Sequence, residues 1–269
     1  MRAPASAARE AIVEALVRAG GAGVVESGDD LVTYLAAGTA REAVDAALRA
    51  ASDGAAVEWT DVGTIDVATR WPARVGVQRL GAVAVAPPWL AHEIADADAP
   101  VVIEPAMAFG TGEHETTRGV LRLLPRVLRP GDVVADLGAG SGVLAIAAAR
   151  LGASRVAAIE LDPDALGNLE ENVVRNGVAD RVHVIAGDAR VLLPLIAPVG
   201  VIVANIISSV LLELAPAMRG ALAPGGRAIL SGLLAAERAS VGAALEAGGW
   251  ALEEVDEEGS WWSVVIAPR

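Results

Sequence analysis

Cysteine is absent from this 269-residue chain, which excludes disulfide frameworks and thiolate metal sites. Lysine is absent too: the 21 basic residues are all arginine, a bias attributed to codon usage. Aromatic residues make up only 3%, so any core has to be built from Ala, Val, Leu and Ile. Positive charge is scarce as well. With 34 Asp and Glu against 21 Arg, the formal net charge is −13. That balance is a poor basis for sequence-independent nucleic-acid binding, which needs a basic face for phosphates; it suits a basic partner or a small molecule. Residues Met1 to Glu10 lack the apolar core of a signal peptide. One uncharged stretch, Val191 to Leu212, is long enough to span a bilayer. It is interrupted by Pro194, Pro198, Gly200, Asn205, Ser208 and Ser209, and it reads as buried core in strand-sized and helix-sized pieces. A soluble, cytoplasmic protein without direct nucleic-acid or membrane contact is the expectation.

What the chain does have is 54% hydrophobic residues, too many for a disordered protein. At roughly 150 residues per domain, its length suggests one large domain or two unequal ones. Ala11, Ile12, Ala15, Leu16 and Ala19 mark one face of a helix over Ala7–Ala19, closed by Gly20-Gly21. Strands are expected near Gly23–Glu26 and Leu31–Ala36, a helix over Arg41–Ala51 and a strand over Ala55–Trp59. Together they form a small α+β unit, residues 1–59, that lacks an initial strand. Residues 60–95, with Trp71-Pro72 and Pro87-Pro88, read as a connection.

From residue 96 to 269 the rhythm changes. Apolar strands at Val133–Leu137, Val156–Glu160, Val182–Ile185, Val201–Asn205 and Arg227–Ser231 alternate with helices. A pair at Ala251–Val255 and Trp261–Ile266 closes the chain as antiparallel edge strands. Five strand–helix alternations with apolar strands imply an α/β fold whose parallel sheet is covered on both faces.

The central motif is Asp136-Leu137-Gly138-Ala139-Gly140-Ser141-Gly142. Alternate glycines after a strand let the backbone approach a ligand at the carboxyl edge of the sheet, and the following helix points free N–H groups at the same place. A dinucleotide fingerprint would run Gly-x-Gly-x-x-Gly, and Val143 stands where its last glycine belongs. Asp136, just before the glycines, disfavours a pyrophosphate and suits a ligand with a positive centre and an ammonium group. A purely structural tight turn is the competing reading. Glu160 lies 22 residues beyond Gly138, close to the spacing at which an acid meets ribose hydroxyls. Asp162 precedes Pro163 and reads as a helix cap. Asp188 has two readings of equal standing, a partner for an adenine amino group or another helix cap. These features match the class I methyltransferase pattern, in which S-adenosylmethionine lies across the strand ends.

Upstream stands Phe109-Gly110-Thr111-Gly112-Glu113-His114-Glu115-Thr116-Thr117. Its glycines make a mobile loop in which Phe109 and Thr111 can close over a cofactor, and Thr116-Thr117 offer hydroxyls at a helix start. His114 is preferred as a cap of that turn over a catalytic base; with no second His or Cys nearby, no metal site is expected.

This string resembles the signature of the bacterial methyltransferases of the eleventh large-subunit ribosomal protein, the PrmA family. The resemblance continues through Asp136–Gly142, Ala158–Pro163, Asn176-Gly177 and Val203–Ile206, and covers about Val102 to Arg269. It implies a Rossmann-like class I methyltransferase domain with a mostly parallel seven-stranded sheet. A small α+β ferredoxin-like N-terminal domain, here missing its first strand, would recognise the substrate. It also implies S-adenosylmethionine as cofactor, held by Thr117, Gly138, Glu160 and Asn205, with Asp136, Gly140 and Asp188 beside them. The family usually carries Asp where this chain has Glu160, a longer reach with the same charge. The implied reaction methylates lysine side chains, and an amino terminus, of the ribosomal protein; Asn205 would orient the amine or hold the cofactor's methionine end, with a strand-end cap as the structural alternative. Other readings left open are a lysine methyltransferase of a different protein and a non-catalytic cofactor-binding module. A nicotinamide dehydrogenase is disfavoured by Val143.

Overall fold

The computed structural model describes residues 12, 15–16, 19, 24–27, 30–33, 35, 39–52, 57–59, 76–105 and 110–269, and the chain divides into two units, Met1–Ile65 and Asp66–Arg269. In the first, β1 (Val24–Ser27) and β2 (Asp30–Thr33) pair antiparallel, and α1 spans Arg41–Ala51. Val44 and Leu48, one turn apart on α1, are buried with Leu16, and Ile12, Leu31, Leu35 and Trp59 pack around them; the spacing is that of a single apolar helix face. Of the helix expected over Ala7–Ala19, Ile12, Ala15 and Leu16 are helical and Ala19 is in a turn, while its other residues lie outside the described residues. The strand expected over Ala55–Trp59 does not form at residues 57–59. Trp59 is held by α1 instead: its indole N–H donates to Asp45 Oδ1 at 2.8 Å, and the Arg41 guanidinium lies 5.2 Å from its ring. Side-chain bonding to a helix replaces ladder bonding there.

The second unit opens with a three-stranded sheet of β3 (Gln78–Leu80), β4 (Val83–Ala86) and β5 (Ala99–Val102). β3 and β4 are antiparallel, β4 and β5 parallel. Two of these strands fall inside residues 60–95, which pattern alone reads as a connection; Val83-Ala84-Val85-Ala86 is buried at every position, so it shows none of the alternation that marks a half-exposed strand.

Seven strands form the main sheet: β6 (Val133–Leu137), β7 (Arg155–Glu160), β8 (Val182–Ala186), β9 (Val199–Asn205), β10 (Leu222–Leu234), β11 (Trp250–Glu258) and β12 (Trp261–Pro268), in the order β11-β12-β10-β9-β6-β7-β8. β8, β7, β6, β9 and β10 are parallel, and β12 lies antiparallel between β10 and β11. This is the mostly parallel, Rossmann-like α/β sheet expected. The helices are α2 (Glu115–Val127), α3 (Val143–Arg150), α4 (Pro163–Arg175), α5 (Ala189–Ile196), α6 (Ser208–Ala221) and α7 (Arg238–Ala247). Because strand side chains alternate, Val134 joins α2 and α3 in one apolar layer, while Ala135 and Leu137 join α6 and α7 in the other. Every residue of α3 from Val143 to Ala149 is buried; its run of alanines lets the helix lie close against the sheet. The uncharged Val191–Leu212 stretch is divided among α5, β9 and α6. Among the described residues no helix is long and apolar enough to cross a membrane.

The topology fixes the place of the site. From β6 the chain builds outward through β7 and β8, then returns to β9 on the opposite side of β6. The loops leaving β6 and β9 therefore diverge, opening a crevice at the carboxyl edge.

Candidate active site

The glycine loop follows β6 into this crevice. Gly138, Gly140 and Gly142 all have positive φ, at 70°, 53° and 85°, a region L side chains enter at a cost. Gly138 also has no room for a side chain, since a Cβ would stand 2.7 Å from Ile206 Cγ2. Ser141, buried at the turn into α3, donates its hydroxyl to the Gly110 carbonyl at 2.6 Å. The loop carrying Thr111 is thereby tied to the glycine loop, and Gly112 packs against Val85, which would lie 2.9 Å from a Cβ there. Phe109 lies outside the described residues.

Two carboxyls flank the loop. Glu160, at the tip of β7 and 8% exposed, accepts the Gly140 N–H at 2.7 Å and the Asp162 N–H at 2.8 Å. A carboxylate offers about four acceptor positions, so half remain for a ligand. Asp136 is different. It is fully buried, and neither of its oxygens has a hydrogen-bond partner. Burial raises its pKa to about 7, with the neighbouring Glu160 charge adding to the rise; the Ala145 N–H offsets part of it without reaching hydrogen-bond geometry. A positive centre arriving at the glycine loop would relieve both carboxyls.

The far wall is the start of α2. Thr117 is fully buried in its first turn, and Asn205 at the tip of β9 donates its Nδ2 to Thr117 Oγ1 at 3.3 Å. The two residues matched to the family's cofactor contacts thus meet from positions 88 apart in the chain. His114 caps α2: its ring Nδ1 accepts the Thr116 N–H at 3.3 Å, and its edge meets Trp261 with centroids 5.2 Å apart. The helix is pinned along its length, with Arg118 to Glu258 at 2.6 Å, Arg122 to Asp256 at 2.5 Å, and Arg126 to Glu254. The Arg118 guanidinium, joined by Arg122, holds the Glu258 carboxyl below the usual range.

Asp188 serves as the cap of α5, accepting the Arg190 N–H at 2.8 Å, and both its oxygens also accept from the Arg190 guanidinium. Asp162 caps α4 through the Asp164 N–H at 2.9 Å.

Sequence reasoning gave no role to two buried asparagines of α4 and its end. Asn172 accepts the Glu104 N–H at 2.9 Å and donates to the Ser141 carbonyl at 3.0 Å. Asn176 accepts the Val102 N–H at 2.8 Å and donates to the Val102 carbonyl at 2.7 Å. They clamp the end of β5 and the glycine loop to one helix. Their four-residue spacing on one helix face was the available signal.

The sequence profile of the family described as Ribosomal protein L11 methyltransferase (PrmA) matches residues 8–268. The chain belongs to the ribosomal protein L11 methyltransferase family. A member from Pelotomaculum thermopropionicum is 44% identical over 219 residues, 80% of this chain and 68% of that protein. Another, from Thermus thermophilus, is 43% identical over 203 residues, 76% of this chain and 78% of that protein. Among solved structures, a ribosomal protein L11 methylase from Lactobacillus delbrueckii subsp. bulgaricus superimposes with a TM-score of 0.65 at 29% identity, covering 72% of this chain and 98% of that one. As a ribosomal protein L11 methyltransferase family member, the chain is a methyltransferase, and its crevice holds a glycine loop, a strand-tip acid and a Thr–Asn pair in one place.

Proposed function

We propose that the chain transfers methyl groups from S-adenosylmethionine to lysine side chains, and to the amino terminus, of ribosomal protein L11. The observation that carries the cofactor reading is Asp136, a buried carboxyl with no partner of its own beneath a glycine loop with positive φ. It fits a cofactor bearing a sulfonium and an ammonium, and Glu160 fits that cofactor's sugar hydroxyls. When bound, S-adenosylmethionine supplies an electrophilic methyl group. Gly138 leaves room for the chain's backbone to approach the cofactor. Glu160 uses its remaining acceptor positions on the ribose, and Leu161, 67% exposed beside it, offers an apolar face to the base. Thr111 and Phe109 are assigned to the cofactor by the family match, and the Gly140 N–H holds Glu160 in place. Asp188, held by Arg190, orders the start of α5 next to the base.

Thr117 and Asn205 hold the reacting end. Asn205, whose Nδ2 donates to Thr117 Oγ1, is assigned to accept one N–H of the incoming amine through its carbonyl. Methyl transfer to an amine is an in-line displacement in which alignment supplies most of the acceleration. The amine has to arrive neutral, which an apolar, water-poor site favours; with His114 used as a cap, the proton leaves to water. Residues 1–59 are assigned substrate recognition as a ferredoxin-like domain, and residues 96–269, with β3 and β4 of the same larger unit, the catalytic domain. The test is incubation of the full chain with methyl-labelled S-adenosylmethionine and purified ribosomal protein L11, and in parallel with a cell extract, read by mass spectrometry. Label on lysines of that protein is expected. Cofactor binding without transfer, or label only on another polypeptide of a cell extract, would overturn the assignment.

A further inference from the structure

The cofactor reading sets a direction of approach, and the acceptor wall inferred from it rests on that reading. Glu160 at the tip of β7 takes the sugar and Asn205 at the tip of β9 the methyl-bearing end, so the methyl acceptor enters from the side of β9 and β10. Two large apolar side chains stand in solvent on that side, Ile207 at 65% exposure and Leu234 at 40%. Their backbones are brought together by specific bonds. The Ile206 N–H donates to the Ser231 carbonyl at 3.2 Å. Glu237 accepts the Ser208 hydroxyl at 3.1 Å and the Leu234 N–H at 3.4 Å, joining the start of α6 to the end of β10. The Trp262 indole N–H donates to the Leu234 carbonyl at 3.1 Å. At Gly232, where φ is +82°, a Cβ would lie 2.4 Å from the Ile206 carbonyl oxygen, so glycine is what permits this approach.

The backbone is thus bonded on both sides of the two residues, while their side chains are left out of every buried cluster. Exposed apolar surface recovers its solvation cost only when something covers it. Both bonds that Glu237 accepts come from uncharged donors, so its charge stands at the same mouth, on a chain of net charge −13. We propose that Ile207 and Leu234 form the acceptor-side wall of the site and clasp the aliphatic stem of the target lysine, with Glu237 favouring the basic segment that carries it. A lysine side chain presents four methylenes to an apolar wall, while other basic residues of its segment meet the carboxylate and the target amine itself goes on, neutral, to Asn205.

The experiment uses the full chain with Ile207→Ser, Leu234→Ser, the double variant and the conservative Ile207→Leu. Three quantities are read: kcat/KM on ribosomal protein L11, S-adenosylmethionine affinity by calorimetry, and the melting midpoint. Each serine variant should lose about tenfold in kcat/KM and the double about a hundredfold, with cofactor affinity and melting unchanged and with Ile207→Leu close to the parent. Unchanged kcat/KM in the double variant would overturn the proposal, as would cofactor affinity falling in step with activity. Concentration-dependent dimerisation abolished by the same substitutions would overturn it too, by making a second copy the occupant. Failure of the parent itself to bind S-adenosylmethionine would instead remove the cofactor reading beneath it.

Discussion

Two buried polar centres in the larger unit differ in kind. On α4, Asn172 and Asn176 find partners for their amides in the Glu104 N–H, the Ser141 carbonyl and both backbone groups of Val102. On β6, Asp136 is equally buried and finds none. In the first case the fold itself offsets the cost of burial, so the asparagines act as adhesive. In the second the cost stands, which is intelligible if a cationic ligand at the glycine loop offsets the buried charge through space. Satisfied and unsatisfied groups thus separate the scaffold from the site, within a single unit.

Asn172→Ala should give the largest effect. It strands the Glu104 N–H and the Ser141 carbonyl, each costing about 1–3 kcal/mol when left unpaired, so a loss of about 2–6 kcal/mol is expected in denaturant unfolding. A loss below about 0.5 kcal/mol, the level of an ordinary surface substitution, would break the contrast on its structural side.

Asp136→Asn probes the other side through pH. The folded carboxyl titrates near 7 against an ordinary 3.8, so between those values the folded state holds a proton that the unfolded state has released. The stability this group contributes is full below about pH 4 and is lost as pH rises through 7. The variant should therefore gain on the parent between pH 5 and pH 8 by about 2–3 kcal/mol, most of the roughly 4 kcal/mol that the full shift carries at 1.36 kcal/mol per unit. Melting midpoints that differ equally at the two pH values would mean that Asp136 is solvated or partnered after all.

Glu160 stands between the two cases, half its acceptor positions used by Gly140 and Asp162. Glu160→Ala should weaken S-adenosylmethionine binding by about 1.5–3 kcal/mol for each ribose bond lost, read by calorimetry. Unaltered affinity would assign the carboxylate to the loop alone.

Legibility in the sequence divides along the same line. The strand tips bearing Asp136, Glu160 and Asn205 are visible because each ends an apolar run, and positive φ at Gly138, Gly140 and Gly142 accords with their alternation. The His114 and Asp162 caps are visible from their places before helix starts. Asp188 is ambiguous because a cap and a base-binding acid look alike until the Arg190 side chain is placed. β4 escapes notice because four consecutive buried residues show no period. β10 runs from Leu222 to Leu234, well beyond the expected Arg227–Ser231, because Pro224-Gly225-Gly226 signals a break where the strand instead shifts register between Leu222 and Arg227. The asparagine clamp is hidden because its partners are backbone groups some 70 residues distant, and sequence carries no mark of which carbonyl a buried amide will meet.

One titration bears most directly on the unpartnered carboxyl and the loop above it: S-adenosylmethionine into the full chain, with Gly138→Val in parallel. The parent should bind one cofactor saturably. The variant, with a β-branched side chain forced to positive φ against Ile206, should show no measurable binding while remaining folded by circular dichroism. Equal affinity in the two proteins, or no binding by either, would contradict a cofactor cradle at the carboxyl edge of β6.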